Sequence, residues 1–217
     1  MKVLFLGPSE SPLIDWLKSV GEDVTTTTDP VGIAFLDAHS PDFIVSYGYR
    51  HILKGDVLDR YANRAINLHI SYLPWNRGAD PNFWSLVEDT PKGVTIHYLD
   101  RSIDAGDIIV QKQVTFSEND TLRTSYNRLQ DEIQALFREH WPKIRSGGCS
   151  RTPQNGKGSY HRPKDKESLS HLMFDGWDTP IAVLEDYAAE SQMFTQFWAR
   201  YHAEVEETKR QDKSRAS

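Results

Sequence analysis

Two polar side chains stand where apolar residues would be expected in the strand-like segment AINLHI (65–70). Residues two apart on a strand share a face, so Asn67 and His69 point one way while Leu68 and Ile70 point the other. An amide beside an imidazole can donate two hydrogen bonds to a carbonyl oxygen that becomes negative. The pair is therefore typical of an oxyanion site, although two hydrogen-bonded side chains at a strand end would show the same pattern.

A carboxylate follows about 35 residues later in SIDAGDIIVQ (102–111), where Asp104 lies in a turn just before a strand. An aspartate at this place could form an ordinary Asx turn. It could equally hold His69 and favour its protonated form, because a nearby negative charge raises the pKa of an imidazole.

These residues need a scaffold, and the hydrophobic pattern predicts alternating strands and helices. Apolar or Thr-rich runs predict strands at 2–7, 23–29, 42–48, 65–70, 93–100 and 107–116. Helical spacing predicts helices at 11–21, 51–62, 80–89 and 121–145 and from 179 onward. The alternation predicts an α/β fold whose mostly parallel sheet is covered by helices on both faces.

Composition and charge limit the function classes. The 217 residues suffice for one ample core, and the formal net charge of −6 argues against a nucleic-acid partner. The apolar runs are too short for a signal peptide or a membrane span, which predicts a cytoplasmic chain without a membrane partner. We expect a catalytic domain at 1–148, a polar extended loop at 149–178, and a C-terminal helix with a frayed tail at 179–217.

Large apolar residues recur every three or four positions along the C-terminal helix. We expect this stripe to be buried, either on the chain's own catalytic domain or on a second copy, and its spacing leaves both arrangements open. The stripe consists of Leu184, Tyr187, Phe194, Trp198, Tyr201 and Val205.

Two segments, NLHISYLPWNRG and GVTIHYLDRSIDAGDIIVQ, together resemble the folate-dependent formyltransferases. That family carries Asn-x-His-Pro-Ser-x-Leu-Pro, then a Gly-x-Thr-x-His strand and an Asp-x-Gly turn. Ile70 replaces the usual proline, for which we expect a local backbone effect only. The likeness covers about residues 1–116 and is looser to about 165, and it implies a Rossmann-like core. The matching residues are Asn67, His69, Ser71, Leu73, Pro74, Gly93, Thr95, His97, Asp104 and Gly106.

The resemblance implies that an amine attacks the formyl carbon of the co-substrate N10-formyltetrahydrofolate, with no metal. Asn67 and protonated His69 would stabilise the tetrahedral oxyanion, and Asp104 would hold His69 and help to move the surplus proton of the amine. No covalent enzyme intermediate is needed, and we expect His97 to be structural. The family binds folate between two loops, largely through backbone groups. The implied folate positions here are Tyr49, His51, Ile52, Leu53, Asp100, Arg101 and Asp104.

The acceptor amine is implied by the neighbouring segments. Formyltransferases that act on methionyl-tRNA add a C-terminal barrel and a basic surface, so tRNA ranks last. The glycinamide ribonucleotide enzymes have a Gly-Asn-Gly-Ser-Asn loop, whereas this chain has GPSES (7–11), where Pro8 cannot donate an N–H. LPWNRGADPN, KGVTIHYLD and GSYHRP resemble nucleotide-sugar N-formyltransferases more closely.

The implied contacts to a nucleotide-linked amino sugar are Ser9, Trp75, Arg77 and Tyr160. Arg77 could pair with a phosphate, and Trp75 or Tyr160 offers a flat face for a sugar or base. Equally, Trp75 could merely pack and Arg77 merely cap a loop. The resemblance also implies a homodimer and a role in lipopolysaccharide O-antigen biosynthesis.

Two alternatives stay open at this point: a phosphoribosylglycinamide-type or other small-amine formyltransferase, and a non-catalytic folate-binding regulator. The presence of Asn67, His69 and Asp104 together argues against a regulator, because folding does not require that trio. The nucleotide, the sugar and the formylated amine are not determined by the sequence.

Overall fold

The computed structural model describes residues 1–215, except for the side chains of Tyr201 and of residues 204–215. The strands are β1 (Lys2–Leu6), β2 (Asp23–Thr27), β3 (Phe43–Ser46), β4 (Ala65–His69), β5 (Arg77–Gly78), β6 (Gly93–Tyr98), β7 (Ile108–Gln113) and β8 (Tyr160–His161). The helices are α1 (Pro12–Ser19), α2 (Ile33–His39), α3 (Gly55–Arg60), α4 (Pro81–Val87), α5 (Leu122–Arg145) and α6 (Ile181–Arg215), with 3₁₀ helices at Pro163–Leu172 and Gly176–Asp178.

A six-stranded sheet in the order β2-β1-β3-β4-β6-β7 forms the centre of the molecule. The first four strands pair in parallel, and β6 and β7 pair antiparallel. This arrangement confirms the predicted α/β fold with a mostly parallel sheet. A separate two-stranded sheet, which the sequence pattern did not predict, joins β5 to β8 through Arg77 with Tyr160 and Gly78 with His161.

The two faces of the central sheet are covered differently. Ile66 and Leu68 of β4 belong to a large buried cluster that α1 and α5 supply with residues such as Leu17 and Phe137. The opposite face is packed by α2 and α3, in a second cluster that includes Ala65. Since side chains alternate along a strand, Asn67 and His69 lie on the same side as Ala65, away from α1 and α5. The fold therefore places the two polar residues on the face opposite the larger cluster.

Two helical predictions differ from the structure on the α2 and α3 side. The sequence pattern missed α2, a short helix that begins after the extended Gly32. The helix predicted at 51–62 begins only at Gly55, because Leu53 packs into the second cluster while the neighbouring Ile52 stays exposed. The guanidinium of Arg101 lies 2.7 Å from where a Cβ on Gly55 would sit, so the two residues are close neighbours at the start of α3.

The segment predicted as a polar extended loop, 149–178, contains both 3₁₀ helices. Its Leu172 is buried with Phe83 of α4 and Leu122 of α5, and this burial favours a compact segment over an extended one. The prediction of an extended loop was therefore wrong for the two 3₁₀ helices. The division of the chain into three regions stays a prediction.

Among its described side chains, the C-terminal helix buries the beginning of its apolar stripe within this chain. Ile181, Leu184 and Ala188 of α6 are buried, with Ile181 and Leu184 in the cluster that contains α4. Further along, Phe194 is 64% exposed and Trp198 is 43% exposed. Tyr201 and Val205 lie outside the described side chains. None of the helices, within the described part of the chain, combines the length and apolar character needed to cross a bilayer.

Candidate active site

Asn67, His69 and Asp104 meet on one face of the sheet. In the chain, Asp104 follows Asn67 by 37 positions and His69 by 35. Asn67 Nδ2 donates to Asp104 Oδ1 at 3.2 Å. His69 Nδ1 lies 3.7 Å from Asp104 Oδ2, close enough for a charge interaction but long for a hydrogen bond. Strand β4 supplies the amide and the imidazole, and the turn between β6 and β7 supplies the carboxylate.

The backbone of the turn that carries Asp104 holds this carboxylate in place. Asp104 has φ 49°, in the left-handed region that aspartate tolerates better than most residues. A Cβ on Gly106 would lie 1.9 Å from the carbonyl oxygen of Tyr98, so only glycine fits there. The backbone N–H of Gly78 donates to Asp104 Oδ2 at 2.9 Å. These contacts fix the carboxylate next to His69.

Asp104 is ionised at neutral pH. Burial by itself would raise the pKa of this carboxyl, but His69, His97 and the N–H of Gly78 outweigh it and hold the pKa well below its usual range. The site therefore contains a fixed, buried negative charge.

His69 differs from the protonated form expected from the sequence. Burial lowers its pKa below the ordinary value of 6.5, although the charge of Asp104 opposes the shift. The resting ring is therefore neutral at pH 7. Its Nε2 lies 3.1 Å from the carbonyl oxygen of Asn76, and its Nδ1 faces Asp104. A neutral ring can donate to only one of these two acceptors, whereas a protonated ring would satisfy both.

His97 of β6 was expected to be structural, and it lies next to Asn67 and Asp104. Its Nδ1 donates to the carbonyl oxygen of Tyr98 at 2.8 Å. Its Nε2 lies 3.4 Å from Asn67 Nδ2 and 3.5 Å from Asp104 Oδ1. The pairing of Asn67 with His97 across β4 and β6 places both side chains on one face. The alternation of Thr95 and His97 along β6 was the sequence signal for this position.

Asn76 supports His69; it lies in the LPWNRG segment of the resemblance, but the sequence analysis gave it no role. This residue is fully buried, has φ 56° and presents its carbonyl oxygen to the imidazole. Its own side chain is held by Thr90, whose hydroxyl donates to Asn76 Oδ1 at 2.8 Å. The backbone N–H of Asn76 donates to the hydroxyl of Ser159 at 2.9 Å. Asn76 therefore fixes the orientation of the His69 ring.

The two segments implied as folate loops lie side by side. Leu53 and Leu99 belong to the same cluster, and Arg101 contacts both carboxylate oxygens of Asp59 in α3. Leu53 is buried, whereas His51, Ile52, Asp100 and Arg101 are exposed. The hydroxyl of Tyr49 is used within the protein, since it donates to the carbonyl oxygen of Asp29 and accepts from the N–H of Val31.

The four implied substrate residues differ in their exposure to solvent. Ser9, Trp75 and Tyr160 are exposed. Arg77 is directed into the protein, where its Nε and Nη2 donate to Gln154 Oε1 at 3.0 and 2.7 Å. Two of its three nitrogens are thus occupied by an internal partner, which the prediction of a phosphate contact did not anticipate.

The arrangement can stabilise a developing negative oxygen and move a proton. Asn67 and His69 carry N–H donors, Asp104 carries a permanent charge, and neutral His69 can also accept a proton. Within residues 1–215 as described, no group of three or more His, Cys, Asp or Glu side chains could hold a metal ion.

Comparisons with known proteins agree with this geometry. Residues 22–140 match the family model described as formyl transferase. The solved formyltransferase PseJ from Anoxybacillus kamchatkensis, in complex with UDP-4,6-dideoxy-4-formamido-L-AltNAc and tetrahydrofolate, is 53% identical, with a TM-score of 0.84. That match covers 87% of this chain and 100% of PseJ.

Two further structures are more distant. A protein from Mycobacterium tuberculosis described as a sugar N-formyltransferase is 25% identical, with a TM-score of 0.68 and coverage of 78% of each chain. A 4-N formyltransferase from Francisella tularensis is 22% identical, with a TM-score of 0.65, and covers 77% of this chain and 78% of its own. The latter likeness concerns the fold alone.

Proposed function

The chain belongs to the formyl transferase family, and on this premise we propose that it transfers the formyl group of N10-formyltetrahydrofolate to the amine of a nucleotide-linked sugar. The observation that carries the proposal is the meeting of Asn67, His69 and Asp104 around one point. The choice of a sugar acceptor is supported by the likeness to PseJ, whose structure holds a formamido UDP-sugar and tetrahydrofolate.

We assign oxyanion stabilisation to Asn67 and, once it has taken up the proton of the amine, to His69. When an amine attacks the formyl carbon, the carbonyl oxygen becomes negative, and an N–H donor held in place there stabilises the transition state more than the substrate. One such donor is worth about 10²–10³ in rate. The two side chains share a strand face, so a single oxygen can lie within reach of both.

We assign the surplus proton of the attacking amine to the pair formed by His69 and Asp104. A neutral amine acquires positive charge as it forms the new bond and must then lose a proton. Neutral His69 can accept this proton, directly or through a water, and the buried charge of Asp104 stabilises the imidazolium. His69 would thus gain its charge during the reaction instead of carrying it in the free enzyme.

The two loops at 47–53 and 99–104 would hold the folate. The exposed apolar side chains of Ile52 and Ile103 lie on these loops, one on each. The buried Leu53 ties the first loop to α2 and α3. The second loop ends at Asp104, so a folate held between the loops would bring its formyl group to the catalytic trio.

The acceptor would contact exposed residues near the implied sugar-binding segments. Trp75 and Tyr160 present partly exposed aromatic faces for a sugar or base, and Ser9 lies on the loop after β1. Arg77 is not assigned to a phosphate here, because its side chain already has two hydrogen bonds to Gln154.

Formyl transfer itself is the test. Purified protein is incubated with N10-formyltetrahydrofolate and a panel of UDP- and dTDP-linked amino sugars, and the products are examined by mass spectrometry. Glycinamide ribonucleotide and simple amines serve as competing acceptors, and reactions without folate serve as the blank. We expect formylation of at least one nucleotide sugar. Transfer to glycinamide ribonucleotide alone would refute the sugar assignment, and folate binding without any transfer would favour the regulator.

We also propose a cytoplasmic location, a role in O-antigen biosynthesis and a homodimer. The proposed homodimer is supported by an apolar surface on α6, where Met193, Phe194, Phe197 and Trp198 are exposed. Large apolar groups clustered in this way are typical of an interaction site. Sedimentation of the full chain at micromolar concentration tests this prediction.

A further inference from the structure

The backbone around Asp104 is held by a side chain from outside residues 22–140, the part that matches the family model. Gln154 Nε2 lies 2.8 Å from the carbonyl oxygen of Asp104 and 2.8 Å from that of Gly106. An amide nitrogen carries two protons, so Gln154 can donate to both carbonyls at once. Its amide therefore closes the turn in which Asp104 adopts its left-handed conformation.

Arg77 determines which way the Gln154 amide points. Its Nε and Nη2 both donate to Gln154 Oε1, at 3.0 and 2.7 Å. A guanidinium offers only donors, so it selects the oxygen of the amide and leaves the NH₂ group directed at the two carbonyls. With the amide reversed, donors would face donors on one side and acceptors would face acceptors on the other.

The strand that carries Arg77 also holds the carboxylate of Asp104. Gly78 follows Arg77 in β5, and its N–H donates to Asp104 Oδ2 at 2.9 Å. Strand β5 thus supports Asp104 in two ways. Arg77 acts through Gln154 on the main-chain carbonyl of Asp104, and Gly78 binds its carboxylate directly.

The Gln154 segment is anchored on both sides of this residue. Thr152 exchanges two backbone hydrogen bonds with Ile108 of β7, at 2.8 and 3.0 Å. After Gln154, the N–H of Arg77 donates to the carbonyl oxygen of Ser159 at 3.0 Å, next to the β5–β8 pairing. The amide is consequently a fixed part of the structure.

We propose that Arg77 and Gln154 are positioning residues for formyl transfer, acting through the turn that aims the Asp104 carboxylate at Asn67 and His69. The inference deepens the proposed function and rests on it. It replaces a direct contact between Arg77 and an acceptor phosphate, and the two roles predict different kinetics. Loss of a positioning residue lowers kcat, whereas loss of a phosphate contact raises the KM of the acceptor.

A double-mutant cycle tests the proposal. We expect Arg77→Met and Gln154→Ala each to lower kcat by roughly 10- to 100-fold, since a misplacement of about 1 Å at a catalytic group can cost about 10²-fold. Because Arg77 acts only through Gln154, the double variant should be no slower than Gln154→Ala. The matched control is Arg60→Met, which removes an exposed arginine paired with Asp37 and should leave kcat unchanged.

Two conservative variants separate positioning from general loss of structure. Gln154→Glu keeps oxygens for Arg77 but has no N–H for the two carbonyls, so it should be as slow as Gln154→Ala. Arg77→Lys keeps one donor for Gln154 and should recover most of the activity lost in Arg77→Met. The proposal would be overturned if the kcat losses of the two single variants multiplied in the double variant, or if the acceptor KM rose while kcat stayed normal.

Hydrogen exchange gives a readout that does not need turnover. The N–H of Gly78 is bonded to Asp104 Oδ2, so its exchange should become faster in Gln154→Ala and Arg77→Met while exchange in β1 and β3 stays unchanged. If the wild type formylates none of the acceptors, the proposed function fails but this measurement still reports on the turn. Unchanged exchange at Gly78 in both variants would refute the positioning role.

Discussion

Replacing Asp104 by asparagine removes one charge from the centre of the site with almost no change in shape. The carboxylate is 11% exposed and accepts hydrogen bonds from Gly78 N and Asn67 Nδ2, one on each oxygen. Asparagine has a single acceptor oxygen, so its NH₂ must face one of these donors. One buried donor would lose its partner, at a cost of about 1–3 kcal/mol. For a chain of this size we expect the Tm to fall by roughly 2–12 °C, with the fold retained.

The effect on catalysis should be much larger than the effect on stability. Without the charge, an imidazolium at His69 is no longer stabilised, and His69 becomes a poorer acceptor for the proton of the attacking amine. Positioned acid–base groups contribute about 10²–10⁴ in rate, so we expect kcat to fall by about that factor. The assay is steady-state formylation of the best acceptor, followed by chromatography, with a melting curve of the same preparation.

The chain offers a matched control in the same turn. Asp107→Asn makes the same chemical change three residues away, where the carboxylate pairs with Arg151 at the surface. We expect near-normal kcat there. Equal kcat values for the Asp104→Asn and Asp107→Asn variants would show that the charge of Asp104 does not serve the reaction.

The pH dependence of stability gives a second check with a defined sign. The pKa of Asp104 is lowered in the folded protein, so its contribution to stability is complete above the ordinary value of about 3.8 and is lost as the pH falls further. His69 titrates beside this carboxylate, so the comparison is made in a His69→Gln background, where the stability lost through Asp104→Asn should be constant from pH 7 to about pH 5 and shrink in stronger acid. A difference that grows in acid would contradict the ionised carboxylate.

Three further predictions follow from the same geometry. Asn67→Ala and His69→Ala should each lower kcat by about 10²–10³ with little change in the Kd of a folate analogue measured by calorimetry, and near-normal turnover in both would falsify the oxyanion assignment. His69 has a lowered pKa, so the wild type should lose stability relative to His69→Gln as the pH falls below about 6.5 in denaturant titrations, and parallel curves would contradict a neutral buried ring. Truncation after Glu190 should leave a folded chain and convert a dimer to a monomer on sedimentation. Truncation after Ser170 should lower the Tm further, because it also removes the buried Leu172 and Leu184, and equal melting of both truncations would contradict the docking of α6.

Local patterns in the chain were sufficient for the frame of the fold. Strand alternation placed Asn67 and His69 on one face, because the period of two is a property of the extended backbone itself. The spacing of apolar residues likewise predicted α5, a long helix with one buried side. Elements with weak periodicity were missed or misplaced: α2 has only seven residues, and the start of α3 depends on the packing of Leu53.

The amino-acid sequence by itself determined which side chains could perform the chemistry, since an amide, an imidazole and a carboxylate in this order already predict oxyanion stabilisation with proton transfer. Tertiary structure alone decided their state and their partners. His69 is neutral because burial outweighs the nearby charge, and burial depends on the whole packed molecule. Arg77 points to Gln154, 77 positions away, because β5 pairs with β8, which follows Gln154 in the chain. Local periodicity carries no information about such pairings, since the hydrogen bonds form only when distant segments are folded together.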